Sequence, residues 1–265
     1  MRQALEHFFL PSIAAWFAFP LRFDRAVAKM AQDSRRAVSP RQAAAYFGDS
    51  LFLEIDPRSL THRLDEKYHD AEGWHWIGES FVDTGDWQGR LSPLQRSPAH
   101  REIIEICRTR DNFRNGQYYQ TYLRQIGDGQ PPRRNGRRID TVEKLDAYFS
   151  YYAGLIDNIE RTGILPRHRV GRALKSRLWP RRTRSFWQDF VERDIGVAID
   201  RDGRFVRHTS GKHRLAAAIG LGLKTVPVEV RMVHRAWLQA EMQKRSLPPT
   251  QALAAALREM SSARI

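Results

Sequence analysis

The sequence predicts an α+β protein in which a small mixed sheet with helices follows a mostly helical N-terminal region. Three patterns support this: an apolar-faced helix over 141–161, a strand-turn-strand unit over 197–207, and an alternating strand over 226–232. We place the helical N-terminal region at residues 1–139 and the mixed domain at 140–240, with a basic insertion at 161–184. A C-terminal helical tail is expected over 241–265.

The N-terminal region is expected to be helical up to Phe47, because Ser39 followed by Pro40 is typical of a helix cap and first turn. The apolar stretch 8–21 is too short to span a bilayer and lacks the flanks of a signal peptide. It is therefore expected to form a core or interfacial helix. The remaining predictions are a strand over 51–55, a structured aromatic loop over 72–87, helices over 99–108 and 117–125, and a turn-rich surface connection over 127–138.

The mixed domain begins with a single long helix. Apolar residues recur at spacings of three and four from Leu145 to Ile159, with Thr141 as the candidate cap and Gly163 as the end. Residues 200–203 predict a hairpin turn between two short strands, and Pro227 is tolerated near the start of the last strand.

The charge balance indicates an anionic partner. The chain has 44 basic and 30 acidic residues, a formal net charge of +14, which favours nucleotides, nucleic acid, phospholipid or an acidic glycan. The alternative is that a GC-rich genome produces the arginine excess. The single Cys107 excludes an intramolecular disulfide and indicates a reducing compartment, and the histidines show no zinc spacing, so no metal site is expected.

Residues 161–184 are the most basic segment, with nine lysines and arginines and no acid. This pattern predicts a contact with a polyanion or a membrane face, and the alternative is a solvated loop. The candidate polyanion-binding residues are Arg167, Arg169, Arg172, Arg181 and Arg182.

A second basic feature is a glycine-led helix start, formed by Ser210, Gly211, Lys212, His213 and Arg214. Backbone amides at a helix N-terminus attract anions, and glycine lets a phosphate approach the backbone. The arginine can fork onto phosphate oxygens, and the lysine and histidine add donors. These five residues are the predicted phosphate-binding residues, and the alternative is a solvated helix start that happens to be basic.

Three motifs in this order resemble the ParB/sulfiredoxin superfamily. They are LIDNIERTGIL at 155–165, GKHRLAAA at 211–218 and LGLKTVPV at 221–228. The resemblance covers residues 145–237, apart from the basic insertion. It implies a ParB/sulfiredoxin-like domain whose second motif is a phosphate loop.

The superfamily includes partition proteins that bind CTP and DNA, sulfiredoxins that use ATP, and kinases of small molecules. Lys212 stands where sulfiredoxins have their cysteine, so that chemistry is not expected, and the segment after Trp237 is short for a DNA-binding domain. Ser210 stands where the ParB-like kinases tend to have an acid. The motif Gly85-Asp86-Trp87 is similar to one in bacterial ParB-like proteins, some of them associated with surface polysaccharides.

The resemblance implies a nucleotide-dependent phosphotransferase that acts on a small molecule or glycan precursor with ATP or CTP, and with Mg²⁺ as phosphoryl transfer usually requires. The candidate catalytic carboxylates are Glu160, Asp157 and Asp86. One alternative is a non-catalytic switch that binds a nucleotide or a polyanion such as nucleic acid. Another is a ParB-like scaffold with no ligand. The expected location is the cytoplasm or the inner-membrane surface.

Overall fold

The computed structural model describes residues 18–29, 38–65, 67–71, 73–78, 80–83, 85, 87–134, 136–166 and 194–262. Within these ranges the α-helices are α1 (Phe19–Lys29), α2 (Pro40–Phe47), α3 (Pro98–Thr109), α4 (Gln117–Gly127), α5 (Val142–Thr162), α6 (Lys212–Gly220), α7 (Arg235–Arg245) and α8 (Pro249–Ser262). The strands are β1 (Phe52–Ile55), β2 (His62–Leu64), β3 (Lys67–Asp70), β4 (Gly73–Trp76), β5 (Val82–Asp83), β6 (Ser92–Pro93), β7 (Arg133–Arg134), β8 (Arg137–Arg138), β9 (Ile195–Ile199), β10 (Phe205–His208) and β11 (Val226–His234). The prediction of an α+β protein with a mixed sheet is confirmed.

The main sheet has the strand order β1-β11-β9-β10-β2-β6, and β5 also pairs with β11. The neighbours β9 and β10 are antiparallel, as the hairpin turn predicts, whereas β11 runs parallel to β9 and β10 runs parallel to β2. Two further ribbons, β3–β4 and β7–β8, are separate antiparallel pairs.

The two faces of the sheet pack against different clusters. Val197 and Val230 belong to the main core, which also contains buried residues of α3, α5 and α6. Ala198 and Met232 belong to a smaller cluster with Trp87 on the other face. Residues 230 and 232 of one regular strand would share a face, but the register of β11 shifts between them, so this bulge turns Met232 to the opposite side.

Residues 1–139, expected to be mostly helical, contain helices α1 to α4 and also short strands that the sequence did not predict. This range supplies β1, β2, β5 and β6 to the same sheet as β9, β10 and β11. These four strands have only two to four residues each, too few for an alternating pattern to show. The expected domain boundary between residues 139 and 140 therefore does not separate two sheets, because strands from both sides of it belong to one sheet.

The helices pack around the sheet, and α1 at the start of the described chain contacts α8 at its end. Helix α6 packs against α3 and α5, while α8 contacts α1, α7 and β1. The carboxylate of Asp24 on α1 accepts hydrogen bonds from the backbone N–H and hydroxyl of Thr250, 2.8 and 2.7 Å away, in the first turn of α8. In the described part of the N-terminal apolar segment, Phe19 is buried in the core and Leu21 is 62% exposed, while residues 8–17 lie outside the described ranges.

Two predicted helix starts are confirmed by their caps. Ser39 and Gln42 form a capping box at α2, and the Thr141 hydroxyl accepts from the Lys144 N–H at α5. In the described part of the chain, no helix is both long enough and apolar enough to cross a membrane.

Candidate functional site

A basic cleft of about 630 Å³ opens between the start of α6, the start of α3, the ends of β2 and β10, and the β3–β4 ribbon. Its described lining includes four cationic side chains, those of Arg63, Lys67, Arg207 and Lys212. The volume lies in the range of small-molecule sites in proteins. This cleft is the candidate functional site.

Strand pairing places two of these arginines side by side. Arg63 on β2 is the direct neighbour of Arg207 on the parallel strand β10, so both side chains leave the same face of the sheet. Arg207 is only 6% exposed, and its Nη1 donates to the Thr209 carbonyl at 2.7 Å. The Nε of Arg63 is buried and makes no hydrogen bond to a described residue. Two guanidinium groups held this close repel each other and attract an anion.

Asp65 partly compensates for this repulsion. Its Oδ1 lies 2.6 Å from Arg63 Nη1 and 3.8 Å from Arg207 Nη2. Among the described lining residues it is the only carboxylate. The carboxylate therefore sits where an oxygen of a bound anion could meet both arginines.

Lys212 adds a third cation from the first residue of α6. Burial lowers the pKa of its ammonium, and the charges of Arg207 and Arg63 lower that pKa further. The N-cap residue Gly211 provides no side-chain hydrogen bond to the first turn. The helix start therefore combines backbone amides that lack a side-chain cap with an ammonium near two guanidinium groups, an arrangement that suits an anion.

The start of α3 faces the same cleft through Ser97 and His100. Ser97 is the N-cap and its side chain makes no capping hydrogen bond. Burial lowers the pKa of His100, and the nearby Arg207 charge lowers it further. His100 is therefore a neutral hydrogen-bonding group at pH 7, and two helix N-termini contribute to one site.

An aromatic surface completes the rim of the cleft. Trp76 on β4 is 56% exposed, which is unusual for so large an apolar side chain. It pairs across the ribbon with Lys67, whose ammonium lies 5.4 Å from the ring centroid. An exposed indole beside cations offers a face on which a planar ring can stack.

Of the five predicted phosphate-binding residues, only Lys212 lines the cleft. Ser210 instead donates its hydroxyl to the Asp194 carbonyl at 2.6 Å and fastens the loop to the start of β9. Gly211 has a left-handed φ of 86°, and a Cβ there would lie 2.7 Å from Ile195 Cα. The glycine is thus required by backbone packing, a role that the sequence did not reveal.

The other two predicted residues, His213 and Arg214, are not among the described residues that line the cleft. His213 Nδ1 lies 3.2 Å from the Tyr152 hydroxyl, and burial is the largest of the causes that lower its pKa to about 3. It is therefore neutral and contributes no charge to an anion. Arg214 is buried in α6 and does not line the cleft.

The predicted catalytic carboxylates lie elsewhere or outside the described ranges. Glu160 and Asp157 are half-exposed on α5, and both bind Arg110, at 2.6 and 3.2 Å. Neither lines the cleft. Asp86 lies outside the described residues, as do the five candidate polyanion-binding arginines of the insertion.

Sequence reasoning missed Arg63, Arg207 and Trp76. The signal for Arg207 was available, because an arginine inside the short strand pattern FVRH is costly to bury without a purpose. No local pattern marks Arg63 or Trp76, since their strands are short and join the site only through long-range pairing.

The described residues contain no group of three or more histidines, cysteines or acids that could hold a metal ion. Comparison of the chain with models of protein families, with curated proteins and with solved structures found no match.

Proposed function

We propose that the cleft binds a nucleotide. Arg63, Arg207 and Lys212 hold the phosphates, and the base stacks on Trp76. The observation that carries the proposal is the convergence of these cations at the start of α6 beside an exposed indole. Phosphates favour a helix N-terminus and forked arginine donors, and nucleobases stack on exposed aromatic rings.

Binding without phosphoryl transfer is the better-supported form of this function. Transfer needs a carboxylate that orients or deprotonates the acceptor within hydrogen-bonding reach. Glu160 and Asp157 are held by Arg110 on the surface of α5, and Asp65 is engaged by Arg63. A phosphotransferase would have to use Asp65 after the ligand displaces it, or a residue outside the described ranges.

The relation to the ParB/sulfiredoxin superfamily remains part of the proposal. The order that carries the resemblance is present as α5, β9, β10, α6 and β11. The inward placement of His213 and Arg214 means that the phosphate contacts we propose come mainly from residues outside the GKHR motif. ATP or CTP with Mg²⁺ is the first ligand to test.

Thermal unfolding with ATP, CTP, GTP and inorganic triphosphate, each with Mg²⁺, tests the proposal. A ligand at a hundredfold excess over its dissociation constant should stabilise the wild type by about 2.7 kcal/mol. Lys212→Ala should weaken all phosphate ligands by about tenfold, whereas Lys29→Ala, which removes an exposed lysine at the end of α1, should not. Trp76→Leu should weaken nucleotides and leave inorganic triphosphate unchanged.

The outcomes separate the parts of the proposal. If no phosphate ligand shifts the wild type, or if Lys212→Ala binds like Lys29→Ala, the phosphate site is wrong. If Trp76→Leu affects triphosphate and nucleotide equally, the base does not stack on Trp76. Hydrolysis or transfer of the terminal phosphate by the wild type would restore the enzyme hypothesis over the binding one.

A further inference from the structure

One side of the cleft is polar but carries no charge. The cations of the described lining belong to β2, β3, β10 and α6, whereas the start of α3 and the turn before it contribute Leu94, Ser97 and His100. We call these three residues the neutral wall. A serine hydroxyl and a neutral imidazole each offer a hydrogen-bond donor and an acceptor without adding charge. The neutral wall therefore suits an uncharged polar group of a ligand.

Ser97 stands at the N-cap of α3 but does not cap the helix. Ser39 and Ser97 are both N-cap serines followed by proline, at the starts of α2 and α3. The Ser39 hydroxyl accepts from the Gln42 N–H, as N-cap serines usually do. The Ser97 hydroxyl makes no capping hydrogen bond, and it bonds no other described residue. It is therefore available to a ligand in the cleft.

His100 is the second polar group of the neutral wall without a partner in the described chain. The residue is only 8% exposed, it lines the cleft, and its ring makes no hydrogen bond to a described residue. Ser97 and His100 are three residues apart, so their side chains are neighbours on one face of the first turn of α3. A single ligand group could therefore hydrogen-bond to both.

The backbone at the start of α3 offers little to a phosphate. Pro98 has no N–H, and the N–H groups of His100 and Arg101 both donate to the Ser97 carbonyl at 3.1 Å. A phosphate at a helix start needs free amides in the first turn. The phosphates of a ligand therefore belong with the cations of the cleft, and the neutral wall faces another part of the ligand.

We propose that Ser97 and His100 bind the ribose hydroxyls of the nucleotide, so that the cleft selects ribonucleotides over deoxyribonucleotides. This inference rests on the proposed nucleotide site and names the sugar of its ligand. A nucleotide has three chemically distinct parts, and the cleft presents cations to the phosphates, Trp76 to the base and the neutral wall to the sugar. A ribose hydroxyl both donates and accepts, as do the two side chains that would meet it.

Isothermal titration calorimetry with four ligands tests the proposal: ATP, 2′-deoxy-ATP, 3′-deoxy-ATP and inorganic triphosphate, each with Mg²⁺. The test variants are Ser97→Ala and His100→Phe, which remove the hydrogen-bonding groups of the neutral wall. Ser97→Thr keeps the hydroxyl. Ser39→Ala is the matched control, because it makes the same change at another N-cap serine that precedes a proline.

The wild type should bind ATP roughly threefold to tenfold more tightly than at least one of the two deoxynucleotides, the range expected for one net hydrogen bond. Ser97→Ala and His100→Phe should each lose ATP affinity by a similar factor and discriminate less between ATP and that deoxynucleotide. Both should bind inorganic triphosphate like the wild type. Ser97→Thr and Ser39→Ala should keep the ATP affinity of the wild type.

Thermal unfolding without ligand separates a ligand contact from a structural role. Ser39→Ala loses a cap and should melt about 3 °C below the wild type. Ser97→Ala should melt like the wild type, because no capping hydrogen bond is lost. If His100→Phe does not fold, the comparison of Ser97→Ala with Ser39→Ala decides the question.

Three results would overturn the inference and leave the nucleotide site intact. They are equal affinity of the wild type for ATP and both deoxynucleotides, equal ATP affinity in Ser97→Ala and Ser39→Ala, and a loss in Ser97→Ala that is the same for inorganic triphosphate as for ATP. The third result would show that the start of α3 binds phosphate. A wild type that binds none of the four ligands would instead overturn the nucleotide site itself.

Discussion

Replacing Asp65 with asparagine should strengthen the binding of a phosphorylated ligand, although the change removes two ion pairs of the cleft. The Asp65 carboxylate lies between Arg63 and Arg207 and occupies a position that a phosphate oxygen would take. A ligand has to displace it before both guanidinium groups can bind the phosphate. Asparagine keeps the size of the side chain and removes the competing charge.

The size of the effect follows from the two ion pairs. Asp65 is about half-exposed, so each pair is screened by solvent and contributes roughly 0.2–1 kcal/mol. The longer contact to Arg207 contributes less than the short one to Arg63. If the two ion pairs of Asp65 together contribute about 1 kcal/mol, their loss should raise the affinity for the phosphorylated ligand roughly fivefold.

Isothermal titration calorimetry with a nucleoside triphosphate at fixed salt measures this gain. Asp140→Asn is the control, because Asp140 is also exposed and bound to one lysine, Lys144, on α5. Both variants add one unit of net positive charge, so a gain confined to Asp65→Asn is a local effect. Affinity in Asp65→Asn equal to that of the wild type would refute the reasoning, and a lower affinity would show that Asp65 instead positions the arginines for the ligand.

Two predictions concern the stability of the framework around the cleft. Burial is the largest cause that lowers the pKa of His208 to about 4 from a usual 6.5, so the folded state binds fewer protons than the unfolded chain in this window. The contribution of the neutral His208 side chain to stability is therefore complete above pH 6.5 and is lost as the pH falls towards 4. In urea unfolding, the free energy of unfolding of the wild type should fall by up to about 3 kcal/mol more than that of His208→Asn between pH 7 and 4. Parallel pH profiles would contradict the burial argument. Gly211→Ala should cost at least about 2 kcal/mol, because a left-handed alanine costs 1–2 kcal/mol and its Cβ would also overlap Ile195. Gly222→Ala is the control, with a φ of 68° but open space around the Cβ, and equal losses of melting temperature in the two variants would show that the overlap with Ile195 is relieved at no cost.

The local pattern of the chain was enough to predict its longer elements. The helix over 141–161 appears as α5, and the strand-turn-strand unit over 197–207 as β9 and β10. These elements are encoded by residues close together in sequence, whose periodicity, caps and turn residues all indicate the same structure. The short strands β2, β5 and β6 were missed because two or three residues carry no period.

The sequence by itself determined a basic α+β chain with a glycine-led helix at 211, and it predicted Lys212, which lines the cleft, as a phosphate-binding residue. The tertiary structure alone decided which other groups share that site. Register between β2 and β10 brings Arg63 beside Arg207, and the β3–β4 ribbon places Trp76 at the rim. Packing of α6 against α5 turns His213 inward to Tyr152. Strand pairing and helix packing join residues that are far apart in the chain, so no local pattern could have assembled the cleft.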